Sequence, residues 1–275
     1  MQESLSLLNT TLVVTLRCNL HCRLCAVSAP YYEEPPHYSF ENLTGGVAEY
    51  FKAVDRIEKF TINGGEPLLH PQLPEIMESF EPYMNKIGML EIITNGSIAP
   101  TERLLKALQF STKIDILIDD YGKELSKNVQ KIIDAFKVYG IKYRHRKYYG
   151  DDAHCGGWVD LLDLSKKQRS SSETEQIYKH CAYPGPFHCF VLFDRKAYIC
   201  GVYKRCETLG IIPDIPDDYI SFVDDSIPVS VKKEQIRNFY NRKYFAACEY
   251  CSGFCDDSPR FAPAEQLEKP YRETD

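Results

Sequence analysis

The sequence predicts an α/β protein: a partial (β/α)6, TIM-like barrel followed by a small domain held together by metal. Three observations carry this. Up to about residue 147, short β-rich runs alternate with helical patterns, as in parallel βα units. The residues of chemical interest fall where those runs end, the edge at which such barrels gather their chemistry. Beyond residue 165 regular helices thin out and seven of the 11 cysteines cluster. The boundary is drawn between 1–164 and 165–275, in the polar, Ser-rich stretch SKKQRSSSETEQ (165–176), read as a linker.

Each element has its own signal. TLVVTL (11–16) is β-branched and runs straight into Cys18. FENLTGGVAEYFKAVDRI follows, with Val47, Tyr50, Val54 and Ile57 at helical spacing. KFTIN (59–63) is the second strand, LPEIMESF a helix, and MLEIIT (89–94) the third strand. TERLLKALQF sets Leu104, Leu105 and Leu108 on one side of a helix, and KIDILID (113–119) is the fourth strand. SKNVQKIIDAFKVYG places Val129, Ile132, Ile133, Phe136 and Tyr139 on one face, with Gly140 as its stop. IKYRHRKY (141–148) is the fifth strand and WVDLLDL (158–164) the expected sixth.

Composition excludes some classes. The formal charge is −6, from 33 basic and 39 acidic residues, which gives no call for nucleic acid or an anionic membrane. The N-terminal segment lacks a basic n-region, and no run reaches the roughly 18 apolar residues of a membrane span. A cytoplasmic location is expected by default. Without a secretion signal, 11 cysteines point to metal ligation over a disulfide framework.

Cys18, Cys22 and Cys25 form C-x3-C-x2-C directly after the first strand. A cubane iron–sulfur cluster usually takes four thiolates. Three leave one iron open for a small molecule's own donor atoms. Half of a zinc site is the alternative. After the second strand comes GGEP (Gly64, Gly65, Glu66, Pro67), and after the third TNG (Thr94, Asn95, Gly96). Two glycines suit close backbone approach to a ligand, a carboxylate at Glu66 suits an ammonium group, and Pro67 stiffens the exit.

These motifs, in this order over the first 165 residues or so, resemble the radical S-adenosylmethionine (SAM) superfamily. The resemblance implies a [4Fe-4S] cluster on Cys18, Cys22 and Cys25 whose open iron chelates SAM. It implies reductive cleavage of SAM to a 5′-deoxyadenosyl radical that abstracts hydrogen from substrate. It also implies SAM contacts from Gly64, Gly65, Glu66, Pro67, Thr94 and Asn95, and an external electron donor such as flavodoxin or ferredoxin.

In the tail, FVLF and a turn at DRK predict a hairpin that brings Cys181 and Cys200 together, and Cys248 and Cys251 form a C-x2-C knuckle. This layout resembles the twitch or SPASM-type extension of the same superfamily, with a near parallel in the twitch domain of 2-deoxy-scyllo-inosamine dehydrogenase. The resemblance implies an auxiliary [4Fe-4S] cluster on Cys181, Cys200, Cys248 and Cys251. The chain departs from the SPASM pattern in ending at Cys255 and in carrying Arg195 where a hairpin glycine is usual. One auxiliary cluster is therefore expected over two. Cys189, Cys206 and Cys255 are the candidates for a further site, with packed thiols the preferred reading of Cys189 and Cys206.

For substrate, DDYG (Asp119, Asp120, Tyr121) and RHRKYYG (Arg144 to Lys147) end the fourth and fifth strands. Alternation lets only half of each set face inward. One of Arg144 or Arg146 is expected to meet an anionic group. In HCGGWVD, Cys155 flanks a glycine pair and is the candidate catalytic hydrogen donor, the route to epimerisation. A carbohydrate-type small molecule is the expected substrate, oxidised or epimerised. Its rival is a ribosomal peptide, set back by the expectation that a first strand near residue 11 leaves no room for a leader-peptide domain. A zinc-binding adaptor is a third reading. It predicts a colourless protein, where the enzyme predicts a brown one with roughly eight irons.

Overall fold

A computed structural model describes residues 4–223 and 226–268. The ends of the two expected segments, 1–3 and 269–275, and residues 224–225 lie outside the described residues. Eight strands form one sheet in the order β5-β4-β3-β2-β1-β6-β7-β8. They are β1 (Ser6–Thr15), β2 (Arg56–Gly64), β3 (Ile87–Thr94), β4 (Ile114–Asp120), β5 (Lys142–Lys147), β6 (Val191–Phe193), β7 (Lys196–Tyr198) and β8 (Ile220–Ser221). The five barrel strands run parallel, and β6 is parallel to β1 through Thr11–Val191 and Leu12–Leu192.

Helices α1 (Phe40–Ala53), α2 (Leu73–Glu78), α3 (Glu102–Ala107) and α4 (Val129–Tyr139) cross between the parallel strands. Ser39 caps α1 by accepting the Asn42 N–H, a bond worth about 1 kcal/mol. Gly140 ends α4 at φ 67°. The apolar strand runs and helix faces meet in one core that includes Val47, Tyr50, Ile57, Phe60, Ile62, Leu90 and Ile92. Val54 and Ile57, grouped with α1 by their spacing, instead cap the helix and open β2. The chain turns there because the Asp55 side chain accepts the Leu5 N–H and binds Lys233 at 2.6 Å.

The α/β class and partial barrel stand, but the sixth strand is elsewhere. Residues 158–164 form no strand beyond a single bridge between Trp158 and Phe261. Asp160 and Asp163 each accept the backbone N–H two residues on, at 2.9 and 3.0 Å. Such turns compete with a sheet ladder for the same N–H groups. The edge beside β1 goes to β6. The 165–176 stretch is also not all linker. Ser170 and Glu173 close a capping box that starts α5 (Ser171–His180).

The C-terminal portion adds α6 (Gly201–Thr208) and α7 (Val229–Phe239). The β6–β7 hairpin turns at Asp194 and Arg195, both left-handed at φ 42° and 65°. The Arg195 side chain donates to the Phe222 and Val223 carbonyls at 3.1 and 3.2 Å, which offsets the strain of an arginine where glycine is easier. Tyr50 packs on Phe60 from the barrel and on Phe190 and Phe222 from the tail, so one core spans both portions. Among the described residues no helix is long and apolar enough to cross a membrane.

Candidate active site

A cavity of about 370 Å³ opens at the C-terminal ends of β1–β5. The pleat decides which residues reach it. Asn63 and Gly65 at the end of β2, Ile93 and Asn95 at β3, Asp119 and Tyr121 at β4, and Arg146 and Tyr148 at β5 all line the wall. Each pair is two residues apart, as alternation requires. Asp120, His145 and Lys147 fall on the opposite face, where His145 pairs with Asp120. Arg144 shares the face of Arg146 but sits one step further from the strand end, paired with Asp115 and Glu91 and off the cavity wall. Of the two candidate arginines, Arg146 reaches the cavity.

Cys18, Cys22 and Cys25 line the same cavity. Burial pushes the Cys18 and Cys22 thiols up to about 12, and Cys25 upward as well. Hydrogen-bond donors aim at the sulfurs. The Leu20 N–H and Asn95 Nδ2 stand 3.4 and 3.7 Å from Cys18 Sγ, and Gln266 Nε2 is 3.2 Å from Cys22 Sγ. Donors directed at sulfur suit thiolate ligands. Among the described residues no three His, Cys, Asp or Glu groups are gathered tightly enough to hold a single metal ion.

GGEP places Gly64 and Gly65 on the cavity wall and also shapes the backbone around it. A Cβ on Gly64 would lie 2.1 Å from the Thr15 carbonyl oxygen, and one on Gly65 would lie 2.2 Å from that of Arg17. The glycines let β2 close on the backbone that carries Cys18. Glu66 is fully buried and lies off the cavity wall. Its carboxylate accepts from the Leu68 N–H (3.0 Å), the Thr94 hydroxyl (2.9 Å) and the Asn95 N–H (2.7 Å). It thus ties the end of β2 to the end of β3 and sets Asn95, which lines the wall. Pro67 and Thr94 are likewise buried behind the cavity.

Burial pushes the Glu66 carboxyl from its ordinary 4.5 up to about 7, against the pull of its three donors. The folded chain therefore holds a proton there that the unfolded chain releases. The contribution of this group to stability is fully present below pH 4.5 and is lost as pH rises towards 7, by up to about 3 kcal/mol. The pH dependence of the urea midpoint in the parent chain is expected to contain this falling part. In Glu66→Gln this part of the slope should vanish.

The remaining wall is aromatic and charged. Tyr121 lies 5.0 Å from Tyr148 and 5.7 Å from Trp158 between ring centres, and Tyr148 meets His154 edge-on at 5.5 Å. Asp119, opposite Arg146 in the β4–β5 register, takes its guanidinium in two bonds of 2.7 and 2.8 Å. Burial pushes the Asp119 carboxyl up while the guanidinium pulls it down. Burial, then the charge of Arg146, pulls His154 down, which favours the neutral ring. Cys155 also lines the cavity, at φ 65° and partly open to solvent. Burial raises its thiol above the ordinary range, so it stays S–H at neutral pH. Tyr148, His154 and Trp158 lay within noticed stretches but were not singled out. Aromatic residues flanking a strand end were their only signal.

A second, apolar cavity is lined by Cys181, Cys200, Cys248 and Cys251. Cys189, Cys206 and Cys255 are not on its wall. Arg169 fixes the knuckle by donating to the Cys248 carbonyl at 3.0 Å and the Cys251 carbonyl at 2.5 Å. The Tyr178 hydroxyl, on the wall, is buried without a partner among the described residues. An unpaired buried hydroxyl costs about 1–3 kcal/mol. An acceptor inside the cavity, such as a cluster sulfide, would satisfy it. Leu161, Tyr183 and Phe254 line both cavities and divide them.

Residues 12–143 match the model of the radical SAM superfamily. Among curated proteins, the chain is 29% identical over 167 residues to a GTP 3',8-cyclase of Sulfurimonas denitrificans, covering 56% of this chain and 51% of that one. It is 40% identical over 86 residues to a GTP 3',8-cyclase of Campylobacter jejuni, covering 30% and 26%. The chain thus spans about half or less of the length of these relatives. Among solved structures, native anSMEcpe with bound AdoMet aligns at TM-score 0.53 and 14% identity, covering 94% of each chain. BtrN in complex with AdoMet and 2-DOIA aligns at 0.51 and 16%, covering 98% of each. Both share the fold along nearly the whole chain.

Proposed function

We propose, from the premise that residues 12–143 form a radical SAM domain, that this protein is a radical SAM enzyme acting on a carbohydrate-type small molecule. That domain takes a [4Fe-4S] cluster and SAM, and the donors aimed at Cys18 and Cys22 fit the cluster. When bound, the pair supplies a 5′-deoxyadenosyl radical that removes a hydrogen atom from carbon. In this reading Cys18, Cys22 and Cys25 hold the cluster, and Gly65 and Asn95 border SAM. An auxiliary [4Fe-4S] cluster belongs to Cys181, Cys200, Cys248 and Cys251.

The protein's own residues position substrate and exclude water. Tyr121, Tyr148 and Trp158 offer apolar faces for the C–H side of a hydroxylated ring. Asp119, Arg146 and neutral His154 bond its hydroxyls or an anionic group. Cys155, held as S–H, would return a hydrogen atom to the substrate carbon, which yields an epimer and leaves a thiyl radical; one electron from the external donor and one proton from solvent would restore the thiol. The observation that carries this reading is a single cavity shared by the three-cysteine loop, these aromatic and charged groups, and Cys155.

Anaerobically reconstituted protein with a strong reductant is expected to release 5′-deoxyadenosine from SAM. Failure to release it overturns the reading. With nucleotide sugars and aminocyclitols in deuterated buffer, epimerisation incorporates deuterium and dehydrogenation gives a carbonyl. GTP belongs in the panel because cyclisation of GTP is the named activity of the curated relatives. A peptide panel tests the rival substrate class. Cys155→Ala is expected to keep SAM cleavage and lose product. Unchanged product formation would remove Cys155 from its role.

A further inference from the structure

The segment 261–267 runs as a strap between Trp158 and the cysteine loop, both of which stand on the cavity wall. At one end Phe261 and Trp158 exchange backbone bonds of 2.8 Å. At the other, the Arg23 N–H donates to the Glu265 carbonyl (2.7 Å) and the Leu267 N–H to the His21 carbonyl (2.9 Å). Arg23 and Glu265 add an ion pair of 2.8 Å. Between these, Ala264 is buried against Leu20 and Cys22 in a small satellite core that Trp158 also joins.

Gln266 lies where the strap meets the cysteine loop, and its amide has one allowed orientation. Its Oε1 accepts the His21 N–H at 2.8 Å, which a nitrogen there could not do. Its Nε2 then has two hydrogens and two acceptors: the Ala264 carbonyl at 2.7 Å and Cys22 Sγ at 3.2 Å. Every polar atom of the side chain is engaged, and one of its bonds ends on sulfur.

We propose that Gln266 is a positioning residue that sets the reduction potential of the cluster on Cys18, Cys22 and Cys25 through its hydrogen bond to the Cys22 sulfur. The inference rests on the reading of that loop as a cluster site. An N–H bond to a ligating thiolate favours the more electron-rich, reduced state, so its loss lowers the potential. The strap thereby links the seating of residues 261–267 on the cysteine loop to the ease of reducing the cluster.

The test is an EPR-monitored redox titration of the reconstituted full chain, with iron content measured alongside. Gln266→Leu is expected to weaken reduction about three- to tenfold, or about 30–60 mV for one electron. Gln266→Glu turns a carboxylate towards the sulfur and is expected to lower the potential further. Should the Leu variant fail to assemble, Gln266→Asn retains the amide but falls short of the sulfur and is expected to show the same fall. Trp158 is the single tryptophan, and its unchanged emission in the cluster-free variants reports that the strap stays seated. Variants with full iron and the parent potential would overturn the inference. A parent chain that assembles no cluster on the three cysteines would instead sink the proposed function, before any variant is compared.

Discussion

Cys22→Ala is expected to abolish release of 5′-deoxyadenosine and to lower the iron from roughly eight per chain to roughly four. Cys200→Ala is expected to lower the iron equally while leaving 5′-deoxyadenosine release in place. The asymmetry follows from where the thiols stand. Cys22 is on the wall of the wide cavity with Gly65 and Asn95. Cys200 is on the wall of the separate apolar cavity, behind Leu161, Tyr183 and Phe254. Iron analysis, absorption spectra and product chromatography on the two variants check both statements. Equal loss of SAM cleavage would mean that the two sites are not independent. Full iron in Cys200→Ala would mean that the second cavity takes no cluster.

Much of the barrel was legible because its signals are local. β-branched runs, helical spacing and Gly140 each concern residues a few positions apart. β2 to β5 fell within three residues of where they were expected, while β1 begins five residues earlier, at Ser6. Alternation selects Asp119 over Asp120 once the strand ends are known, whereas Arg146 is selected over Arg144, on the same face, only by lying nearer the end of its strand. What was not legible depends on distant partners. Nothing near 158–164 says that β1 will take Val191 and Leu192 as its neighbours. The Asp160 and Asp163 turns are local, but they compete with a ladder of similar strength, and spacing alone does not rank the two. The capping box at Ser170 and Glu173 was readable and was outweighed by the polar composition around it. Gln266 reaches Cys22 across 244 positions, and an isolated glutamine near a chain end carries no signal. The packing of the GGEP glycines against the Thr15 and Arg17 carbonyls also carries no local signal, since it arises where a strand end presses on a cysteine loop and leaves no space for a side chain.

Arg146→Met is expected to cost about 2–3 kcal/mol of stability and to end substrate turnover. Removing one partner of a buried ion pair typically costs about 3–5 kcal/mol, because the other charge is left behind. Here the loss falls lower, since the Arg146 side chain keeps 31% of its surface exposed while that of Asp119 keeps 9%. Water can reach the site vacated by the guanidinium but can solvate the carboxylate only in part. Asp119→Leu combined with Arg146→Met removes both charges, and stability is expected to return to within about 1 kcal/mol of the parent. Turnover is not expected to return. In the parent the guanidinium is held by two bonds to Asp119 and lies 5.7 Å from the Tyr148 ring centre. That leaves it pointed at the cavity with its position fixed from behind. Urea denaturation of the three chains measures the first effect, and product formation at saturating SAM the second. A double variant as unstable as the single one would show that the loss comes from packing by the arginine stem. A double variant with full turnover would release Arg146 from any part in binding.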